Sequence, residues 1–465
     1  MFKKIKKLLS NISIEDVVIF VIPFLVCTLM LYVYYPGIYN YDVFNQLSQI
    51  ETGKYTTGHP FISTFYLMIF HKYIGIKSSL PMFQIIWFSL LCTAISKYTR
   101  KSKFHFVLQI IVVLFFSINP LISTSIISNN KDSLFLLIFM TICYFLWVVI
   151  DNNFICSKRI YIFLAFFMIF FGKVRHNGFY VNCVFITIFM SIVLIKTLKK
   201  DKKIILSFAC SLVFSFILFL IPSKFYDVES VAMDAQSVGS LKALQFEGYL
   251  YNRKKLSKDE INELDKFINL ESLSINSFNT SYMDPMIIVE KKDNYYDTQK
   301  FLKVSLKILL NHKTEGFEFF LKSTPIIWRI YLPEKIMHSY VWIDIGVPNR
   351  IESIDYVNKN SKLFSVVDST LRKFQEGKGN KLIISIFYSP AFYMYLSILL
   401  TIILIIKNNK YTWLITFYNL INVGIISLSI PVQDSRYLLN GHGLLIILTI
   451  ILIGTFVKNN KSKKI

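Results

Sequence analysis

The sequence predicts an all-α polytopic membrane protein with about ten transmembrane helices and one soluble insertion on the outer side. Of its 465 residues, 54% are hydrophobic and only 17% are charged, and the mean hydropathy is +0.49. A soluble protein of this length would carry about 25% charged residues. This composition therefore excludes a soluble enzyme, a disordered chain and a fibrous protein.

Apolar stretches along the chain supply the predicted helices, because about 20 apolar residues cross the hydrocarbon core of a bilayer. Ten stretches reach or approach this length, and they are residues 17–35, 80–95, 106–122, 133–150, 160–172, 179–195, 204–222, 382–406, 411–430 and 438–457. The stretch 160–172 is short, which indicates a thinned bilayer or a protein-lined cavity at its end. We interpret a further apolar stretch, Pro60–Ile76, as a helix in the outer interface, because a crossing there would turn the basic residues 97–103 outward.

Short clusters of basic residues set the predicted orientation. The chain has 51 Lys and Arg against 29 Asp and Glu, a net charge of +22. The clusters lie between apolar runs and fall on one side of the predicted topology, as the positive-inside rule requires. They are Lys3/Lys4/Lys6/Lys7, Lys97/Arg100/Lys101/Lys103, Lys158/Arg159, Lys196/Lys199/Lys200/Lys202/Lys203, Lys407/Lys410 and Lys458/Lys461/Lys463/Lys464. We therefore expect a multi-pass plasma-membrane protein with both termini in the cytoplasm and no nucleic-acid partner.

This topology divides the chain into three parts. Residues 1–222 form an N-terminal membrane domain of seven spans, whose first outer loop is 36–79. Residues 223–381 form an extracytoplasmic domain with nearly equal numbers of acidic and basic residues, and residues 382–465 form a C-terminal membrane domain of three spans. All the informative polar clusters then lie in outer segments.

The cysteine pattern and the helical periodicity describe the insertion further. None of the six cysteines lies in residues 223–381, so this segment is not a disulfide-built ectodomain. No cysteine pair has the spacing of a metal site. Within the insertion, the patterns of Ser257–Leu270 and Phe301–Lys322 predict helices.

The first outer loop carries the clearest candidate for acid–base chemistry. Asp42 follows the first span by seven residues, and Glu51 and the pair His59–Pro60 come later in the same loop. A carboxylate held near the membrane surface can act as a general base toward a hydroxyl group. The alternative interpretation is an acidic residue in a solvated loop.

The next two outer loops carry further charged residues. Lys131 and Asp132 stand at the start of the fourth span, where Asp132 either caps the helix or faces Asp42 across an outer cavity. Lys173, Arg175 and His176 lie in the loop GKVRHNG at or below the membrane surface. A basic side chain at that depth needs an anion, and either a substrate phosphate or a bulk lipid headgroup would supply one.

The last outer loop contains Asp434, Arg436 and Tyr437 in the sequence SIPVQDSRYLLNGHG. An arginine can hold a phosphate through two parallel hydrogen bonds, which a lysine cannot match. An internal Asp434–Arg436 ion pair is the alternative interpretation.

These polar loops resemble those of the GT-C superfamily of membrane glycosyltransferases, which includes the protein O-mannosyltransferase-like and lipid A aminoarabinose transferase-like enzymes. The resemblance covers residues 17–222 and 382–457. The matching features are an early acidic residue followed by Gly and His-Pro, an Asp opening the fourth span and an Arg-Tyr entering the last, namely Asp42, Gly53, His59, Pro60, Asp132, Arg436 and Tyr437. The order PG…D…Q…HP, NNKDS, RHNG and DSRY also resembles an uncharacterised family of bacterial multi-pass membrane proteins.

The resemblance implies inverting transfer of a sugar from a polyprenyl-phosphate donor to a glycan, lipid or protein acceptor of the cell envelope. Asp42 would deprotonate the acceptor hydroxyl, with Asp132 as a second catalytic candidate, and Arg436 would neutralise the phosphate leaving group with Arg175 or Lys131. The substrate-binding residues would be Glu51, His59, Lys131, Arg175, His176, Asp434, Arg436 and Tyr437. No cofactor is expected, and the sequence offers no compelling ligand set for a divalent metal.

Two other functions compete with a transferase. One is a non-catalytic lipid or polysaccharide transporter or envelope scaffold, and the other is an envelope-polysaccharide polymerase. Transporters tend to have repeated halves and polar or broken helices at the midplane of the membrane. The spans here are nearly free of charge and the polar groups gather at one face, which favours an enzyme acting at the membrane surface.

Overall fold

The computed structural model describes residues 12–56, 58–197, 202–226, 228–229, 235–273, 286, 289–331, 360–375, 380–407, 410–429 and 435–456. Among these residues, every regular element longer than an isolated β-bridge is a helix, which confirms the all-α prediction. The N-terminal part comprises α1 (Ile14–Val33), α2 (Tyr41–Thr52), α3 (Phe61–Met68, continued by a π-helical turn Ile69–Ile74), α4 (Ser79–Thr99), α5 (Lys103–Ile118), α6 (Pro120–Ile126), α7 (Lys131–Asp151), α8 (Lys158–Val174), α9 (His176–Thr197) and α10 (Lys202–Phe225).

The rest of the chain continues the numbering. It comprises α11 (Ala235–Asn252), α12 (Lys258–Leu264), α13 (Thr298–Asn311), α14 (Lys313–Ser323), α15 (Pro325–Trp328), α16 (Lys362–Gln375), α17 (Lys381–Tyr388), α18 (Pro390–Lys407), α19 (Trp413–Ser429) and α20 (Asn440–Phe456). Short 3₁₀ turns at Leu270–Leu273, Asp293–Tyr296, Lys410–Thr412 and Ser435–Leu438 complete the described elements.

Helix α7 lies at the centre of the bundle. Its sequence is apolar on every side, which is the pattern of a helix surrounded by other helices. Of the residues in its most apolar 18-residue stretch, 89% are buried. Phe135 stacks on Phe171 of α8 with ring centroids 3.9 Å apart, and Phe139 stacks on Tyr418 of α19 at 5.7 Å. This packing fixes the N-terminal end of α7, and the residues that it carries, in the middle of one end of the bundle.

Eight of the described helices are long and apolar enough to cross a membrane, which agrees with a multi-pass membrane protein. They are α1, α4, α7, α9, α10, α18, α19 and α20, the last two with the 3₁₀ turns that precede them. Helices α5 and α6 meet the same test only together, and their axes differ by 72°. The side chain of Asn119 caps α6 by accepting from the N–H groups of Leu121 and Ile122, and Pro120 has no N–H to continue the helix. The predicted span 106–122 is therefore bent, and whether it crosses the membrane stays a prediction.

Two other predicted spans differ from the observed helices. The span 382–406 is divided between α17 and α18, because the chain leaves helical conformation at Ser389 and Pro390 opens the next helix. The short span 160–172 corresponds to α8, whose 17 residues extend for about 25 Å against a hydrocarbon core of about 30 Å. The count of ten crossings stays a prediction.

Charged residues gather at the two ends of the bundle. At one end, Asp16 in the first turn of α1 accepts a 2.8 Å hydrogen bond from Lys97 of α4 and forms an ion pair with Arg100. At the other end, called the site end below, the loop after α1 pairs with the segment before α7. The basic residues that follow α4 and the carboxylate of Asp42 thus lie at opposite ends. Which end faces the cytoplasm stays a prediction.

The apolar stretch Pro60–Ile76 is largely helical, as expected, and forms α3 and the π-helical turn. Helix α3 packs against α2, α8 and α10 at the site end. Its location in a membrane interface stays a prediction.

The segment between α10 and α16 has a hydrophobic core of its own. Ser257 and Glu260 form a capping box at the start of α12, so a helix follows Ser257 as predicted, although it ends at Leu264. The predicted helix Phe301–Lys322 is two helices, since His312 leaves helical conformation and contacts the Glu260 carboxylate at 3.0 Å. The core includes Leu244, Leu250, Ile268, Phe301 and Ile308. The domain boundaries and the outer placement of this segment stay predictions.

Candidate functional site

Asp42 lies in the first turn of α2, and the local sequence fixes this position. Asn40 caps the helix, its side chain accepting a 3.0 Å hydrogen bond from the N–H of Val43. Before it, Ile38 and Asn129 are joined by a backbone hydrogen bond of 2.9 Å from the Asn129 N–H to the Ile38 carbonyl. This contact places the start of α2 beside the start of α7, and hence Asp42 beside Lys131.

Gly37 permits this close approach. Its φ of +129° lies in the region that favours glycine, and a Cβ atom there would come within 2.8 Å of Pro81 and 2.9 Å of the Asn129 side chain. A larger residue would therefore push the loop after α1 away from the start of α7.

Two cations contact Asp42, and His59 contacts one of them. The Nζ atom of Lys131 lies 3.2 Å from the Asp42 carboxylate and 2.8 Å from Nδ1 of His59. A guanidinium nitrogen of Arg436, from the 3₁₀ turn before α20, lies 3.7 Å from the same carboxylate oxygen. Asp42, Lys131 and Arg436 retain 23%, 12% and 20% of their side-chain exposure, so a substrate can reach them. Residues from four separate segments of the chain thus meet at one point.

The charges of this cluster perturb its titrating groups. Burial by itself would raise the pKa of Asp42, but the positive charges of Lys131 and Arg436 outweigh it and hold this pKa well below its usual range. Burial and the adjacent Lys131 lower the pKa of His59 to about 4. At neutral pH, Asp42 is therefore ionised and His59 is neutral, so that the Nδ1 atom of His59 can accept a hydrogen bond from the Lys131 ammonium.

A second ion pair lies next to the first. Asp132 and Arg175 approach to 2.9 Å, with side chains only 7% and 9% exposed. The Arg175 guanidinium also lies over the rings of Phe135 and Tyr437, 5.4 Å and 5.0 Å from their centroids. These contacts desolvate the arginine and fix its plane.

Tyr437 connects the two ion pairs. The Arg436 guanidinium lies 5.0 Å from the Tyr437 ring centroid and donates to the Tyr437 hydroxyl at 3.3 Å. Since Arg175 is the same distance from this ring, both arginines contact one aromatic side chain. The structure thus brings Asp42, His59, Lys131, Asp132, Arg175, Arg436 and Tyr437 together.

Other predicted site residues lie elsewhere or outside the described part. Glu51 is exposed at the far end of α2, nine residues from Asp42, which corresponds to about 13 Å along the helix. His176 is exposed at the start of α9, and it is near enough for its charge to contribute to the lowered pKa of His59. Asp434 lies outside the described residues, so the predicted Asp434–Arg436 alternative is not tested.

The helix-capping role proposed as an alternative for Asp132 belongs to Asn130 instead. The Asn130 side chain accepts from the N–H of Asp132 and is 95% buried. Asp132 is thereby placed in the first turn of α7 and left to pair with Arg175. The two consecutive asparagines before Lys131, which tie the loops and cap the helix, are the residues that sequence reasoning missed; the strong preference of Asn for N-caps was the available signal.

The described residues contain no group of three or more His, Cys, Asp or Glu side chains that could hold a metal ion. Comparison with protein-family models, with curated proteins and with solved structures gives no match for this chain. The resemblance to GT-C enzymes therefore stays a prediction from the sequence, and the function is argued from the geometry of the site.

Proposed function

We propose that the protein is a membrane glycosyltransferase that moves a sugar, with inversion, from a polyprenyl-phosphate donor to an acceptor hydroxyl of the cell envelope on the outer side of the plasma membrane. The observation that carries this proposal is the contact of one ionised carboxylate, Asp42, with two cations, Lys131 and Arg436, at the end of an apolar helix bundle. A base and a phosphate-binding cation are the two groups that such a transfer needs.

Lys131 and Arg436 suit a phosphate leaving group. As the bond between the anomeric carbon and the phosphate oxygen breaks, its electron pair stays on the phosphate, whose negative charge grows. Preorganised cations at this point lower the barrier more than they tighten ground-state binding. Arg436 adds the two-pronged geometry that matches two phosphate oxygens.

The same two cations control the pKa of Asp42, and hence its strength as a base, in this proposal. While both face Asp42, its low pKa makes it a weak base. A donor phosphate would draw Lys131 and Arg436 toward itself, which raises the pKa of Asp42 at the moment when the base is needed. Asp42 then accepts the proton of the acceptor hydroxyl, whose oxygen attacks the anomeric carbon from the side opposite the phosphate.

The second ion pair has a positioning role. Asp132 is almost fully buried beside Arg175, so we assign to it the orientation of that guanidinium rather than a proton transfer. Removing one partner of a buried pair leaves an unpaired charge. Arg175, which shares the Tyr437 ring with Arg436, adds positive charge next to Arg436.

Replacement of the two acidic residues on α2 tests the proposal. Purified protein in lipid nanodiscs would receive a panel of polyprenyl-phosphate sugars and envelope acceptors, and release of polyprenyl phosphate would be measured. Asp42→Asn should lower the rate by roughly 10²–10⁴, whereas the exposed Glu51→Gln on the same helix should not change it. Full activity of Asp42→Asn, or loss of activity in Glu51→Gln, would contradict the assigned base.

A further inference from the structure

A surface groove runs along helices α8, α9 and α10 beside the candidate site. It consists of two adjoining cavities of about 290 Å³ and 370 Å³, which share Gly172, Lys173 and Phe179 in their walls. The first cavity also touches Arg175 and His176, and the second extends along α9 beyond them. The groove therefore begins at the site and continues away from it.

The two cavities lie end to end along the helix axes. The lining residues of α9 run from His176 in the first cavity to Thr187 in the second, which corresponds to a rise of about 16 Å. Phe179, Cys183 and Phe216 are exposed on the outside of the bundle, so the groove is open on the side that would face lipid. Its length and its open side suit one extended hydrocarbon chain, and the second cavity is lined mainly by apolar side chains.

Gly172 makes room for the groove wall. A Cβ atom at this position would lie 2.8 Å from the Asn182 side chain and 3.4 Å from Cα of Phe179. The glycine thus permits the close approach of α8 and α9 behind the groove, and it leaves the space in front of them open.

Lys173 supplies a cation at the end of the groove next to the site. Its Nζ atom lies 4.3 Å from the centroid of the Phe216 ring, and it lines both cavities. Among the described residues no carboxylate lies within ion-pairing distance of it, although a half-buried lysine at the end of a membrane helix is costly unless it meets an anion. The buried guanidinium of Arg175 borders the same cavity.

We propose that this groove binds the single isoprenoid chain of a polyprenyl-phosphate lipid, with Lys173 and Arg175 holding its phosphate and the chain lying along α9 toward Thr187. The identity of the lipid rests on the proposed function, and the location rests on the cavities and on Lys173, which meets no carboxylate in the described part of the chain. The groove then gives the lipid a lateral path from the bilayer to Lys131 and Arg436. The sequence places Lys173 in the third polar loop, and the groove gives it a specific binding role.

Photocrosslinking from the groove wall tests this location without requiring sugar transfer. The photoreactive residue benzoylphenylalanine would replace Cys183, which lines the groove, or its neighbour Val184, which is exposed but lines neither cavity. Full-length protein in phosphatidylcholine nanodiscs would receive a trace of radiolabelled polyprenyl phosphate. We expect a much higher yield from position 183 than from position 184, and equal yields would overturn the groove.

Variants and competitors identify what is bound. Lys173→Ala should weaken labelling at position 183 by at least about tenfold, because a hydrogen bond to a charged group is lost, while Lys173→Arg should retain most of it. Unlabelled polyprenyl phosphate should compete, whereas polyprenol and two-chain phosphatidic acid should not. Equal competition by phosphatidic acid would make the occupant an ordinary membrane phospholipid and overturn the proposal.

The Asp42→Asn background separates this inference from the proposed function. Labelling at position 183 should be unchanged there, because Asp42 lines neither cavity. A protein with Asp42 intact that labels normally but transfers no sugar would contradict the transferase alone. A protein that transfers sugar but does not label would contradict the groove alone.

Discussion

The contact between Lys131 and His59 gives a prediction that requires no knowledge of the substrate. Replacing Lys131 with Met removes a positive charge 2.8 Å from Nδ1 of His59 and leaves the negative Asp42 nearby. Burial is the largest cause of the low pKa of His59, and Lys131 is the next. The pKa of His59 should therefore rise from about 4 in the wild type, while burial still holds it below the value that Asp42 alone would produce.

The size of this rise follows from the geometry. Two unit charges 2.8 Å apart repel by about 6 kcal/mol at an effective dielectric constant of about 20. Solvent reaches part of the site, which screens this repulsion, and a neighbouring charge usually shifts a pKa by about 1–3 units. The pKa of His59 in Lys131→Met should thus lie at about 5–7.

Nuclear magnetic resonance of histidine-labelled protein in nanodiscs would measure this pKa. The chain has seven histidines, and His59→Gln identifies the signal of His59 by its loss. The exposed Lys54, in the same loop as His59, supplies a matched control as Lys54→Met, which should leave the titration unchanged. A His59 signal that titrates at the same pH in wild type and Lys131→Met would refute the arrangement of the cluster.

Four further predictions test other parts of the account. Arg436→Lys should impair sugar transfer and Arg436→Ala should impair it more, because lysine retains the charge without the two-pronged geometry; equal rates in wild type and Arg436→Ala would remove this residue from the site. Asn130→Ala should lower the free energy of unfolding by about 1 kcal/mol through loss of the α7 cap, as measured by chemical denaturation. The pKa of His59 is depressed on folding, so the unfolded state binds more protons and wild-type stability should fall as the pH drops from about 6.5 to about 4; His59→Gln should show a smaller fall in the same thermal scans. A cysteine replacing Ser48 should react with an impermeant thiol reagent on intact cells and one replacing Ser102 should not, and labelling at Ser102 would reverse the proposed orientation.

The helical architecture was predictable because hydrophobic length is a strong signal in membrane proteins. The structure differs from the predicted spans where a short capping sequence interrupts an apolar run. Asn119–Pro120 and Ser389–Pro390 each divide a stretch that hydropathy treats as continuous, since an average over many residues does not register one missing N–H group. Hydropathy alone therefore does not reveal where an apolar run changes direction.

The sequence predicted which residues belong to the candidate site better than which of them form ion pairs with each other. The sidedness of the loops placed Asp42, Lys131 and Arg436 on one face, and the structure joins them. The pairing of Asp132 with Arg175 was not predictable, because it depends on which face of α7 meets α8 and on Asn130 taking the cap. The groove at Lys173 depends on the gap between three helices, which no local sequence pattern encodes.

The most direct test of the central claim is the configuration of the sugar linkage made by purified wild-type protein. Donor and product would be compared by the nuclear magnetic resonance coupling at the anomeric carbon, alongside release of polyprenyl phosphate with and without acceptor. We predict release that depends on acceptor and a product of inverted configuration, as expected when Asp42 activates the acceptor for a single displacement. A product that retains the donor configuration would contradict the mechanism, and the absence of transfer from every donor that binds would contradict the function.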